Sequence, residues 1–256
     1  MWREEEYEGR QVRRQKVRAQ MCSQVRSKGL SLTGQAEARA SVARAARLRL
    51  LETYAGLARR GQHLLSGLLD GQGPRQWEHY PKDDAVDALR GFQWFYHSHA
   101  PQDRPGSTEH GHIHLFLRRK LWSRRLRSAQ EVRFSALGGG SPQDADTRHA
   151  LAIGFDAKGL ATSLFMVNSW VTGDRMLSAR TTASLLEGIA LDTGHTGMDA
   201  VITSIVQLYA DEIGKLLRVR DARLFAIEGE SPLDNESLEI LSEIEIDVDG
   251  KLASDL

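Results

Sequence analysis

Residues 95–117 read FYHSHAPQDRPGSTEHGHIHLFL: two short runs with histidine at every second place, joined by a segment that holds two prolines and a glycine. Side chains on a strand point alternately to its two faces. His97 and His99 therefore share a face, as do His110, His112 and His114, while Ile113, Leu115 and Leu117 take the other. The Pro/Gly segment returns the chain, so the expected unit is an antiparallel hairpin. Paired in register, the five rings line one concave surface with Glu109 at its edge. They are five of the nine histidines in the chain.

Five neighbouring imidazoles need a reason to stay together. Charged, they repel; buried and neutral, each needs a hydrogen-bond partner. A divalent metal meets both demands, because it binds the neutral, deprotonated nitrogen. Alternate residues on a strand lie about 6.6 Å apart, and metal–imidazole bonds are about 2 Å long, so rings on one face can converge on one ion. The candidate ligands are His97, His99, His110, His112 and His114. Zinc, iron or manganese is the expected cofactor, and Glu109 is placed to orient or deprotonate a water at an open position. The leading expectation is a metal-dependent enzyme, a hydrolase before other classes, acting on an unidentified small molecule or peptide. The rival is a non-catalytic metal- or haem-binding protein, or a purely structural network of core histidines.

Upstream, WEHYPKDD places His79 near Asp83, Asp84 and Asp87. Asp84 and Asp87 stand at helical spacing before an expected short helix over 85–90. They supply a carboxylate ligand, orient a ligand histidine, or act as first-turn acids favoured by the helix dipole. His149 opens a strand and His195 lies in a loop between Gly194 and Gly197; either could approach the site, and each alone is read first as structural. The run from Thr33, read as an N-cap, through Leu68 is rich in Ala, Leu and Arg and predicts one long helix, or two broken near Gly61. HALAIGFDAKGLATSLFMVNSW predicts a hairpin turning at AKG, and SARTTASLLEGIA a helix. TGHTGMDAVITSIVQLYADEIGKLLRVRD predicts a single amphipathic helix. LEILSEIEIDVDG alternates as an edge strand or stays unstructured. With strands in the middle and helices at both ends, the fold class is α+β: a central antiparallel sheet carries the histidine hairpin, with N- and C-terminal helices packed on one side. The expected organisation is a loose basic arm over 1–32, one α+β domain over 33–226 and an acidic tail over 227–256.

Charge is balanced, 34 basic against 34 acidic residues, so nothing points strongly to nucleic acid. Cys22 is the one cysteine, which excludes an intramolecular disulfide and a Cys-based zinc site. No apolar run approaches the roughly 20 residues of a membrane span, and MWREEEYEGRQVRRQKVRAQ lacks the apolar core of a signal peptide. A cytoplasmic location and no membrane partner are expected. Met21 offers an alternative start.

Three resemblances follow from these residues. WEHYP, YHSH, EHGHIHLFL and the later LFMVNSWVTGD together resemble an uncharacterised bacterial family, a domain of unknown function with Tyr-His-x-His and Glu-His-Gly-His-x-His motifs. The likeness runs from about Trp77 to Arg223. It marks His79, Tyr80, Pro81, Asp84, Asp87, Tyr96, His97, His99, Glu109, His110, His112 and His114, with Asn168, Trp170 and Gly173 in the second motif. It implies that His79, Tyr80, Asp84, Asp87 and Tyr96 support the histidine ligands. His97, Ser98, His99 and Ser107 are similar to the JAMM metalloprotease motif, although His110 stands where that family has Asp and Ala100 where it has proline. HGHIHLF is similar to the histidine-triad pattern of nucleotide hydrolases and transferases, which implies a rival activity, metal-free phosphoryl or nucleotidyl hydrolysis or transfer with His112 as nucleophile. Here Gly111 replaces the usual apolar residue.

Overall fold

The computed structural model describes residues 32–69, 75, 78–98, 109–138, 146–228 and 231–254. The chain divides into two compact units, Met1–Val42 and Ala43–Leu256. Six strands form one sheet, all neighbours antiparallel and in chain order: β1 (Tyr80–Asp87), β2 (Phe92–Ser98), β3 (Gly111–Arg118), β4 (Thr147–Phe155), β5 (Ala161–Val167) and β6 (Ile240–Glu245). Among the described residues the helices are α1 (Leu32–Arg59), α2 (Arg119–Trp122), α3 (Ala129–Ser135), α4 (Ser169–Thr172), α5 (Ala179–Leu186), α6 (Thr196–Leu208), α7 (Ala210–Phe225) and α8 (Val248–Ala253).

Strand alternation sorts the sheet into two faces. Trp94, Tyr96, Ile113, Leu115, Leu117, Ile153, Leu164, Met166 and Leu241 point to one side. There they share a core with Ala46 and Leu50 of α1, Ile202 and Ile205 of α6, and Leu216 and Leu217 of α7. Trp94 Nε1 donates to Asp199 Oδ1 at 3.0 Å, which pins α6 to β2. The opposite face carries Phe95, His97, His112, His114, Phe116, Ala152 and Phe165. The α+β architecture, with the histidine hairpin as β2 and β3, is therefore the one the sequence predicts.

Several local expectations change. Ala85 and Val86 do not start a helix; they pair with Trp94 and Gln93 as part of β1. Asp87 instead closes the β1–β2 turn, its carboxylate accepting the amides of Arg90 at 2.8 Å and Asp192 at 3.0 Å. Burial pushes the Asp87 pKa up, but these bonds and the Arg90 guanidinium outweigh it and hold the carboxyl below its ordinary value. The first long helix begins at Leu32, so Thr33 lies inside it rather than capping it. It ends at Arg59, and Gly61 follows in the left-handed region at φ 65°. The amphipathic run after Gly194 is two helices, because Tyr209 leaves helical geometry at φ −106°, ψ 24°. Its hydroxyl donates to the Asp247 carbonyl at 2.9 Å, which ties the break to the segment before α8. The β4–β5 hairpin turns as predicted, with Asp156 Oδ1 accepting the amides of Lys158 and Leu160, both at 2.8 Å. In the tail, Ile240–Glu245 pairs with β5 as an edge strand.

Candidate metal centre

The centre lies on the sheet face opposite the core shared with α1, α6 and α7. His97 and His112 are direct cross-strand partners, and His114 pairs with Phe95 one step along the same face. Directly opposite positions in an antiparallel pair bring side chains closest, so register alone makes these rings meet. His112 Nε2 lies 2.7 Å from His97 Nε2 and 3.0 Å from His114 Nε2. One nitrogen from each ring falls within 4.8 Å of the others, which makes this a group able to hold a metal ion. His112 and His114 are 3 % and 1 % exposed, so water contributes little to satisfying them.

The other ring nitrogens are held from behind. His112 Nδ1 meets Glu109 Oε1 at 2.8 Å, and Glu109 Oε2 accepts from Ser163 Oγ at 3.3 Å. An ionised carboxylate only accepts, so Nδ1 must carry the proton. The neutral His112 then has a lone pair, and no proton, at Nε2. The carboxylate fits because β4 has a hole at Gly154. A Cβ there would stand 2.5 Å from Glu109 Oε2 and 2.2 Å from Ser163 Oγ. His114 Nδ1 meets His149 Nε2 at 3.0 Å. His149 is fully buried; loss of solvent, aided by the Arg220 charge, lowers its pKa to about 3, so it stays neutral.

His149 is the residue that reading by alternation misses. Ala152 pairs with His114 and so shares the histidine face, which by strict alternation puts position 149 on the opposite one. Leu115 pairs with Leu151 but Phe116 with His149, so one step on β3 spans two on β4. Such a bulge turns the following side chain to the other face. No feature of the sequence marks its position.

Glu109 and His110 reverse the expected alternation, because β3 begins only at Gly111. His110 does not join the other rings. Its Nδ1 bonds the Tyr96 hydroxyl at 2.7 Å, and the Tyr96 ring belongs to the helix-side core. Gly111 leaves room for that phenol, whose oxygen would lie 2.4 Å from a Cβ. Burial lowers the His110 pKa, partly offset by Asp156, while burial and the Glu109 charge raise that of Tyr96. His99 and Ser107 lie outside the described residues.

His79 packs its ring on Phe95, centroids 3.6 Å apart and planes 8° from parallel, and its centroid is 6.4 Å from that of His97. Asp84 reaches it: Asp84 Oδ1 lies 3.0 Å from His79 Nδ1. Asp87 and Tyr80 are elsewhere. Asp87 holds its turn, and the Tyr80 hydroxyl donates to Glu78 Oε2 at 3.3 Å and accepts the Arg75 amide at 3.0 Å. Asn168, at the second motif, caps α4 and donates to the Pro232 carbonyl at 2.9 Å; Gly173 ends that helix at φ 70°. His195 meets Trp94 edge-on at 5.3 Å, on the helix side.

Among the described residues no helix is long and apolar enough to cross a membrane. No curated protein and no solved structure is detectably similar to the chain. Residues 44–246 match the family model described as a domain of unknown function, DUF6969, and the chain belongs to that family.

Proposed function

We propose that His97, His112 and His114 bind one divalent transition metal through Nε2 and that the protein is a metal-dependent hydrolase. One observation carries the reading: the Nε2 atoms of His97 and His114 both lie beside that of His112, at 2.7 and 3.0 Å, while Glu109 and His149 occupy the Nδ1 atoms of His112 and His114. A ring-plane lone pair on His112 Nε2 cannot align with two N–H donors at once, so hydrogen bonds alone serve the cluster badly. A cation serves all three. In a tetrahedral site with bonds of about 2.0–2.1 Å the ligand nitrogens stand about 3.3 Å apart, so His112 Nε2 would move away from His97 Nε2 by about 0.6 Å and from His114 Nε2 by about 0.3 Å on binding. A ligating histidine that donates its second N–H to a carboxylate or another acceptor is a recurring support for such sites.

Three neutral imidazoles suit zinc or iron(II); manganese, which prefers carboxylate oxygen, fits this donor set least. Three protein ligands leave a position for water, the arrangement of catalytic rather than structural sites. Glu109 bonds both His112 and Ser163 and is 4 % exposed. Its role is to fix the His112 tautomer, which leaves the general base to another group. Metal-free transfer through His112 is disfavoured because its Nε2, the attacking atom, is enclosed by His97 and His114.

Metal analysis after zinc loading and desalting tests this. The wild type should retain one zinc per chain, and His97→Ala and His114→Ala should lose it. A wild type that retains no metal, or variants that keep it, defeats the reading.

A further inference from the structure

We propose that His79, oriented by Asp84, is the acid–base residue of this centre. The inference rests on the metal reading and adds to it the group that moves the proton.

Four side chains form a line whose polarity is fixed at every link. Arg118 only donates, and its guanidinium bonds Gln93 Oε1 at 2.8 Å. That turns Gln93 Nε2 toward Asp84 Oδ2, also at 2.8 Å. Asp84, as a carboxylate, only accepts, so His79 Nδ1 must donate to Asp84 Oδ1 at 3.0 Å. His79 is thereby held as the tautomer whose Nε2 bears the lone pair. The face-to-face stack on Phe95 fixes the ring plane. A carboxylate that sets the tautomer of an imidazole base is the arrangement of the Ser-His-Asp triad, where histidine shuttles a proton in hydrolysis.

Backbone geometry supports a placed carboxylate. The β1–β2 register shifts between Tyr80 and Ala85, and Asp84 within that bulge has φ 53°, the one non-glycine residue with positive φ among those described. Strained positions of this kind cluster at functional sites, and bulges re-aim side chains beside them. Position also fits. The Phe95 ring that carries His79 lies 5.8 Å from the His97 ring and 5.2 Å from that of His114. His79 is the solvent-side imidazole, its side chain 42 % exposed against 4 % for His112.

In hydrolysis of an ester, a water proton passes to His79 Nε2 as the water oxygen bonds the carbonyl carbon. The ester C–O bond then breaks, and the same proton leaves Nε2 for the departing oxygen. Nothing is oxidised or reduced.

The test uses the zinc-loaded full chain with p-nitrophenyl acetate, and metal content is measured on every variant. His79→Gln should keep one zinc per chain and lose about 100-fold or more in kcat, the usual weight of a general acid–base group. Asp84→Asn, which tolerates the same backbone conformation, should lower kcat and leave KM unchanged. Added imidazole should restore part of the rate to His79→Gly. Full activity in His79→Gln, or no zinc-dependent hydrolysis by the wild type, overturns the proposal. Loss of zinc from His79→Gln also overturns it, by making His79 a ligand. A wild type that binds no zinc is the separate failure of the metal reading.

Discussion

Glu109 and His110 are chain neighbours that end in different environments, one behind the histidine cluster and one against the Tyr96 hydroxyl. Local backbone decides this, since strand alternation holds only from Gly111 onward. The consequence is a carboxylate, rather than a fifth ring, beside His112. Glu109→Gln should therefore weaken zinc binding about 10- to 100-fold, the typical cost of losing such a partner, as read by competition with a chromogenic chelator. An unchanged affinity would show that the carboxylate is a bystander. Gly154→Ala probes the same contact from the other strand, because its Cβ needs the space Glu109 Oε2 and Ser163 Oγ occupy. It should cost about 1–3 kcal/mol in folding stability, as overpacking does, and lower zinc affinity as well. At this scale the sequence identified His97, His112, His114 and Glu109 as belonging together. It could not separate His110 from them, because nothing in EHGHIH says where the strand begins.

At the scale of elements, regular periodicity was legible and its interruptions were not. β2, β3, the β4–β5 hairpin and α5 follow directly from alternation, turn residues and capping. The errors fall at irregularities: the β4 bulge that turns His149 inward, the β1 bulge that carries Asp84, and the break at Tyr209 between α6 and α7. Each is imposed by tertiary packing, and none leaves a periodic trace. The segment over 85–90 misleads for a related reason, since acids spaced for a helical first turn equally suit a turn between strands. Asp87 supplies the check. Its folded pKa lies below the unfolded value, so its contribution is present above about pH 4, the ordinary carboxylate range, and is lost as pH falls through the folded pKa. Asp87→Ala should lower stability by about 1–3 kcal/mol at neutral pH, the worth of partly buried hydrogen bonds to a charged carboxylate. In chemical denaturation the difference from wild type should shrink in acid. A difference that persists in acid would mean the turn depends on something other than this charge.

For the whole molecule, the sheet separates two tasks. One face is committed to the helix-side core, and the other holds polar rings that a purely apolar packing would never select. A ligand bound only by the folded chain stabilises it by about 2.7 kcal/mol at a hundred times its Kd. For a protein of this size that corresponds to roughly 5–10 °C in Tm, at about 2–4 °C per kcal/mol. Zinc should raise Tm by this order, EDTA should reverse it, and His114→Ala should abolish it. X-ray absorption at the zinc edge of the loaded protein reads directly which atoms hold the metal. Three imidazole nitrogens are expected at about 2.0–2.1 Å, falling to two in any residual zinc bound by His97→Ala. A shell of oxygen without imidazole, or one that does not change in that variant, would contradict that expectation.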